Sequence, residues 1–131
     1  MRYSRNQNLA LLILRIIVAA IFLVAAYYKI PFWSATPKGM SEGMANLMKF
    51  LSIAEPLGAF AVLAGFLTRW ASIGLSIILL GAIYEIKFSY GTDFVTPTGP
   101  GWNFPLAVLV GCIILMAFGA GSWSIESNKR S

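Results

Sequence analysis

Four apolar blocks, each closed by charges, prolines or glycines, set the pattern of this chain. The first covers residues 9–30, is interrupted by Arg15 and closes at Lys29. The second covers 49–67 and carries Glu55 and Pro56. The third covers 70–88, with Glu85 and Lys87 at its end, and the fourth, 103–121, has no charged residue. A bilayer core of roughly 30 Å takes about 20 helical residues, and each block meets or nearly meets that length. None shows the two-residue alternation of a barrel strand. The pattern predicts an all-α fold, an integral membrane four-helix bundle forming a single domain over 1–131.

The connections agree with this reading. Thr68 and Arg69 alone separate the second and third blocks, which predicts a tight antiparallel hairpin. Pro31, Pro37 and Gly39 break the first connection, and Gly91, Pro97, Gly99, Pro100 and Gly101 the third. Both longer connections therefore fall on one side of the membrane. Trp33, Trp70, Trp102 and Trp123 sit at the predicted helix ends, as interfacial belts require. Ser41 is a good N-cap, and Met44, Leu47, Met48 and Leu51 recur at helical spacing after it. A short amphipathic helix is expected there, on the outer interface before the second span. Met40, Met44 and Met48 also step by four residues, a thioether stripe that would suit Cu(I). The apolar face of an interfacial helix accounts for them more simply.

Composition narrows the class. The chain has 131 residues, 58% hydrophobic and 11% charged, with a mean hydropathy of +0.75. Soluble domains carry about 25% charged residues, so a water-soluble globular domain is excluded. The net charge of +5 comes from basic residues at the chain ends and between apolar blocks. That placement fits membrane topology and not a nucleic-acid surface. With no histidine, His-ligated haem, histidine zinc sites and imidazole-based triads are excluded. Cys112 is the single cysteine, so no dithiol couple exists, and it reads as a small buried residue. The first block is too long for a signal-peptide core and ends in Tyr27, Tyr28 and Lys29, so a retained first helix is expected. Arg2, Arg5, Arg69, Lys129 and Arg130 would share the side of the termini, against Lys29, Lys38, Lys49 and Lys87 on the other. The count differs little, and the first-helix flank with the short hairpin favours both termini in the cytoplasm.

Ionisable groups inside a bilayer are costly and ask for a reason. Lys29, Glu55, Glu85 and Lys87 all come out near the outer span ends, where they can form one cluster; a Lys29–Glu55 pair is the sharpest contact expected. Such a cluster can orient a headgroup or exchange protons with a quinone, with Tyr27, Tyr28, Tyr84, Trp102 and Asn103 beside it. The plainer alternatives are lysines that snorkel to the interface and a Ser52–Glu55 capping box at a helix start. Arg15 lies about six residues, roughly 9 Å, inside the first span. It is expected to reach back to the headgroups; otherwise it faces the bundle and binds carbonyls or hydroxyls near Thr68 and Gly119. Ser72 and Ser76 are candidates for interhelical bonds. Ala54, Gly58, Ala61 and Gly65 would let span two approach a neighbour closely.

Several segments resemble the DoxX family of small four-helix membrane proteins. They are Arg15 with the Phe22-to-Lys29 stretch, Glu55-Pro56-Leu57-Gly58, and Leu63-Ala64-Gly65-Phe66-Leu67-Thr68-Arg69. The fourth is Gly119-Ala120-Gly121-Ser122-Trp123-Ser124-Ile125-Glu126. The fourth span departs from many relatives by entering through Trp102-Asn103-Phe104-Pro105, where an acidic residue is common. The resemblance implies a multi-pass protein of the bacterial or archaeal cytoplasmic membrane, linked to quinone-dependent sulfur oxidation and redox-stress complexes. Three roles are open. The first is an accessory or scaffold subunit of a membrane redox or oxidative-stress system, without catalytic activity of its own, acting with a protein partner or as a homo-oligomer. The second is a quinone-interacting subunit of a sulfur-compound oxidoreductase. The third is a small transporter of a lipophilic or metal-bound solute. No intrinsic cofactor motif and no metal site are visible, so quinone would be the one cofactor and electrons would come from a partner.

Overall fold

The computed structural model describes residues 3–35, 38–89 and 91–125. Helix α1 (Arg5–Tyr27) opens on Ser4, whose hydroxyl accepts from the Gln7 amide while the Gln7 side chain accepts from the Ser4 amide. This reciprocal cap satisfies two of the donors that a helix start leaves free. A 3-10 turn (Ile30–Trp33) follows. Helix α2 (Glu42–Ala64) starts at Ser41, which accepts from the Met44 amide as its position predicts.

The expected separate amphipathic helix is not present: its residues and the second span form one unbroken α2, with Pro56 inside it. Proline removes one backbone donor and does not end the helix here, since neighbouring groups can take up a freed carbonyl. Ser52 and Glu55 are therefore mid-helix and make no capping box. Ser52 instead accepts from the Trp33 indole at 2.8 Å and donates to the Lys49 carbonyl at 2.6 Å.

Gly65 ends α2 in the left-handed conformation (φ 75), and Phe66 N–H closes onto the Ala61 carbonyl at 2.8 Å. Only residues 65–67 separate α2 from α3 (Thr68–Tyr84), so the hairpin is as tight as expected but turns earlier: Thr68 and Arg69, expected in the connection, open α3 because Gly65 ends α2 first. A π turn (Glu85–Ser89) prolongs α3, and two short strands, β1 (Val95–Thr96) and β2 (Gly99–Pro100), pair antiparallel in the next connection. Helix α4 (Asn103–Phe118) has 16 residues and stops at Gly119. At 1.5 Å per residue it is about 24 Å long, short of the hydrocarbon thickness.

The helices run alternately up and down. Side-chain bonds join the first half of α1 to the end of α2 and to the segment after α4. Tyr3 donates to the Phe118 carbonyl at that same end. Gly58 of α2 meets Leu75 of α3, and Gly111 of α4 meets Leu14 of α1, at positions where a Cβ would stand 2.9 and 3.1 Å away. The core consists of Val18, Ala19 and Phe22 from α1, Ala59 and Val62 from α2, Leu75 and Leu79 from α3, and Val108, Cys112 and Leu115 from α4. Large apolar side chains also face outward on every helix: Ile17 is 52% exposed, Phe60 57%, Ile77 64% and Val110 49%. Water would not tolerate that much contiguous apolar surface on a small monomer; hydrocarbon does.

Candidate functional site

Two polar centres lie inside this apolar body. In the first, Lys29 sits just past α1 and places its Nζ 2.9 Å from Glu55 Oε1. The Glu55 side chain is 1% exposed and that of Lys29 19%. Glu55 lies on the face of α2 that also buries Ala59 and Val62. Its second oxygen, Oε2, is buried with no hydrogen-bond partner. The expected Lys29–Glu55 pair is thus formed.

The wider cluster is not. Glu85 and Lys87 lie in the π turn, and neither makes an ion pair among the described residues. Lys87 Nζ stands 5.2 Å from the Phe88 ring centroid and 4.9 Å from that of Trp102, whose ring meets Phe94 edge-on at 4.6 Å. A lysine over two aromatic faces is a cation–π arrangement at the mouth of the last connection. Tyr27, Tyr28 and Tyr84 are exposed on the outside and do not wall a site. Asn103 opens α4, donating its backbone N–H to the Phe94 carbonyl, and its Oδ1 is buried without a partner.

The second centre is Arg15, 1% exposed. Its Nε donates to the Val62 carbonyl at 2.8 Å and its Nη2 to that of Leu63 at 2.6 Å. Its Nη1 donates to the Ala120 carbonyl at 3.2 Å and to that of Trp123 at 2.8 Å. The expected reach toward the headgroups is overturned; the guanidinium faces inward. The physical cause is that the last carbonyls of α2 lack the full set of helical partners, the Val62 carbonyl accepting from the Gly65 amide at 3.2 Å at the cap, and form the negative end of the helix dipole. The non-helical exit after Gly119 has the same need, which lipid cannot meet.

Asn8, which sequence reasoning passed over, completes the arrangement. Its Oδ1 accepts from the Ser122 amide at 2.9 Å and its Nδ2 donates to the Tyr3 carbonyl at 3.2 Å. An asparagine directly before the first apolar block was the available signal. Gly65 fits closely below Arg15: a Cβ there would overlap Ser124 and stand 2.9 Å from Nη2. Gly119 is nearer Arg69 than Arg15. Thr68, Ser72 and Ser76 are buried on one face of α3; the Thr68 and Ser72 hydroxyls make no interhelical bond, contrary to expectation, while the Ser76 hydroxyl meets the Cys112 thiol of α4. Arg2, Tyr90, Glu126, Lys129 and Arg130 lie outside the described residues.

Among the described residues, three helices long and apolar enough to cross a bilayer, with apolar side chains outward and Arg15 and Glu55 buried, define a multi-span helical membrane protein. The DoxX family model matches residues 10–88, more than half of the chain, and the chain belongs to that family. The match runs from α1 to the π turn; α4 and its glycine-rich exit lie beyond it. No curated protein and no solved structure matches the chain.

Proposed function

We propose that this DoxX-family chain is an accessory or scaffold subunit of a membrane-associated redox or oxidative-stress system. In this reading it lies in the cytoplasmic membrane of a bacterium or archaeon, with both termini in the cytoplasm. The observation that supports it best is how the ionised interior groups are used. Arg15 ties α1 to the end of α2 and to the exit from α4, and Lys29–Glu55 ties α1 to α2 a second time. Side chains engaged in bracing helices make a rigid body suited to holding a partner in place. Family membership supplies the redox context, and Arg5 and Arg69 at the end shared by the termini favour the orientation. The test is isolation of the tagged chain from its native membranes, with native gel separation and mass spectrometry. A redox enzyme subunit at fixed stoichiometry is expected. A chain that migrates alone or only with its own copies would refute the proposal.

One atom favours a second reading, a quinone-interacting subunit of a sulfur-compound oxidoreductase. Glu55 Oε2 is buried and unpartnered beside a partly exposed lysine, so it is available to a quinone oxygen that carries or takes a proton. Titration with a quinone analogue, followed by tryptophan fluorescence, should show weaker binding to Glu55→Gln than to the native protein. Equal binding by both, or by neither, would refute it.

A further inference from the structure

Three buried hydroxyls stand in line along α3. Thr68, Ser72 and Ser76 recur every four residues, so each lies about one turn beyond the last on a common face, roughly 6 Å along the axis. Thr68 and Ser72 are wholly buried and Ser76 is 6% exposed. The Thr68 and Ser72 oxygens have no hydrogen-bond partner, not even the carbonyl one turn back that serine and threonine commonly take in helices, and the Ser76 hydroxyl meets the Cys112 thiol of α4. Surrounding lipid cannot satisfy them. The interval between neighbours matches two hydrogen bonds of about 2.8 Å placed end to end, the span that one bridging water covers. Internal waters of this kind bind groups that a fold leaves otherwise unsatisfied.

What lies along the row gives it a direction. Gly58 against Leu75 fixes the register of α2 on α3. Followed along the antiparallel pair, that register puts Ser72 level with the end of α2 that Arg15 holds. Ser76 comes within about two residues, roughly 3 Å along the axis, of the level of Glu55. Glu55 offers a buried, unpartnered Oε2 there. Among titratable groups, Lys29 from the end of α1 faces Glu55 and the buried Cys112 thiol of α4 meets Ser76; α3 has only the charged Arg69, at its opposite end, and α4 has no charged residue.

We propose that Thr68, Ser72 and Ser76 hold a file of water molecules inside the protein, which carries protons between the end bearing the termini and the Glu55 carboxyl. At each step one O–H bond breaks on a donor oxygen and one forms on the next acceptor. The last proton settles on Glu55 Oε2, and no electron moves. This inference goes beyond both functional readings and needs neither of them.

The test uses the full chain in phosphatidylcholine–phosphatidylglycerol vesicles. Infrared difference spectroscopy follows a step from pH 8 to pH 4, with the Glu55 signal assigned by its loss in Glu55→Gln. The native protein is expected to gain the Glu55 carboxylic-acid band. Ser72→Val/Ser76→Val, which fills the row with methyl groups, should slow that gain about tenfold or more, and Ser72→Thr/Ser76→Thr, which keeps the hydroxyls, should restore it. Should the valine pair fail to fold, Ser72→Ala/Ser76→Ala carries the same expectation with no added bulk. A rate unchanged within twofold in the folded valine or alanine pair would overturn the proposal. So would the absence of any Glu55 band over that pH step.

Discussion

Replacing Arg15 by leucine separates two accounts of a charge on a membrane helix, because they predict opposite signs. Were the side chain merely stretched toward the headgroups, leucine would remove an unfavourable group worth at least about 2.5 kcal/mol at mid-bilayer, and the fold would be unharmed or stabilised. The structure instead has the guanidinium donating to four carbonyls, on Val62, Leu63, Ala120 and Trp123. Interhelical bonds in membranes average roughly 0.6 kcal/mol each, which sets a lower bound near 2 kcal/mol for the group. Charge-assisted bonds and the orphaning of buried partners raise the expected loss to about 5 kcal/mol. Arg15→Leu should therefore lose about 2–5 kcal/mol, and Arg15→Lys should recover part of it, because an ammonium offers fewer donors in a less suitable geometry. Reversible unfolding in mixed micelles of increasing SDS fraction, followed by tryptophan fluorescence, gives the comparison. A leucine variant as stable as the native protein would refute the inward clamp.

Further outcomes follow from the same geometry. Gly65→Ala should cost about 1–3 kcal/mol, because its φ of 75 and the approach of Ser124 both reject a side chain. Gly74→Ala, with open space around it, should be neutral or gain up to roughly 1 kcal/mol in the same assay. Lys29→Met should destabilise, and Lys29→Met/Glu55→Met should recover about 1–3 kcal/mol of the loss, since the buried carboxylate is then no longer left uncompensated; additive single losses would contradict the pairing. Cys112 is fully buried, so a maleimide should label the folded protein about 100-fold more slowly than the SDS-unfolded chain.

Much of the architecture is legible in the residues themselves. The four apolar blocks, the tight hairpin between the second and third, the Ser41 cap and the Lys29–Glu55 pair all rest on local pattern or on which span ends meet. What escaped reading depends on longer-range compensation. Pro56 looked like a boundary because proline removes a donor, yet α2 continues through it. Arg15 looked surface-bound because its partners are backbone carbonyls up to 108 positions away, and a sequence does not display carbonyls. They need a donor because α4 stops at Gly119 and its exit is not helical. Glu85 and Lys87 looked like cluster members from their place at an outer span end, yet they lie in a π turn and make no ion pair among the described residues. Lys87 instead lies over the rings of Phe88 and Trp102.

The account rests on lipid being the solvent of the outer faces. Spin labels at Ile17, Phe60, Ile77 and Val110, one on each helix and all pointing outward, test this in vesicles by relaxation with oxygen, which concentrates in hydrocarbon, and with a water-soluble nickel chelate. High oxygen and low nickel accessibility at all four positions is the predicted result. Nickel accessibility equal to that of a freely hydrated label on any one of these faces would contradict it.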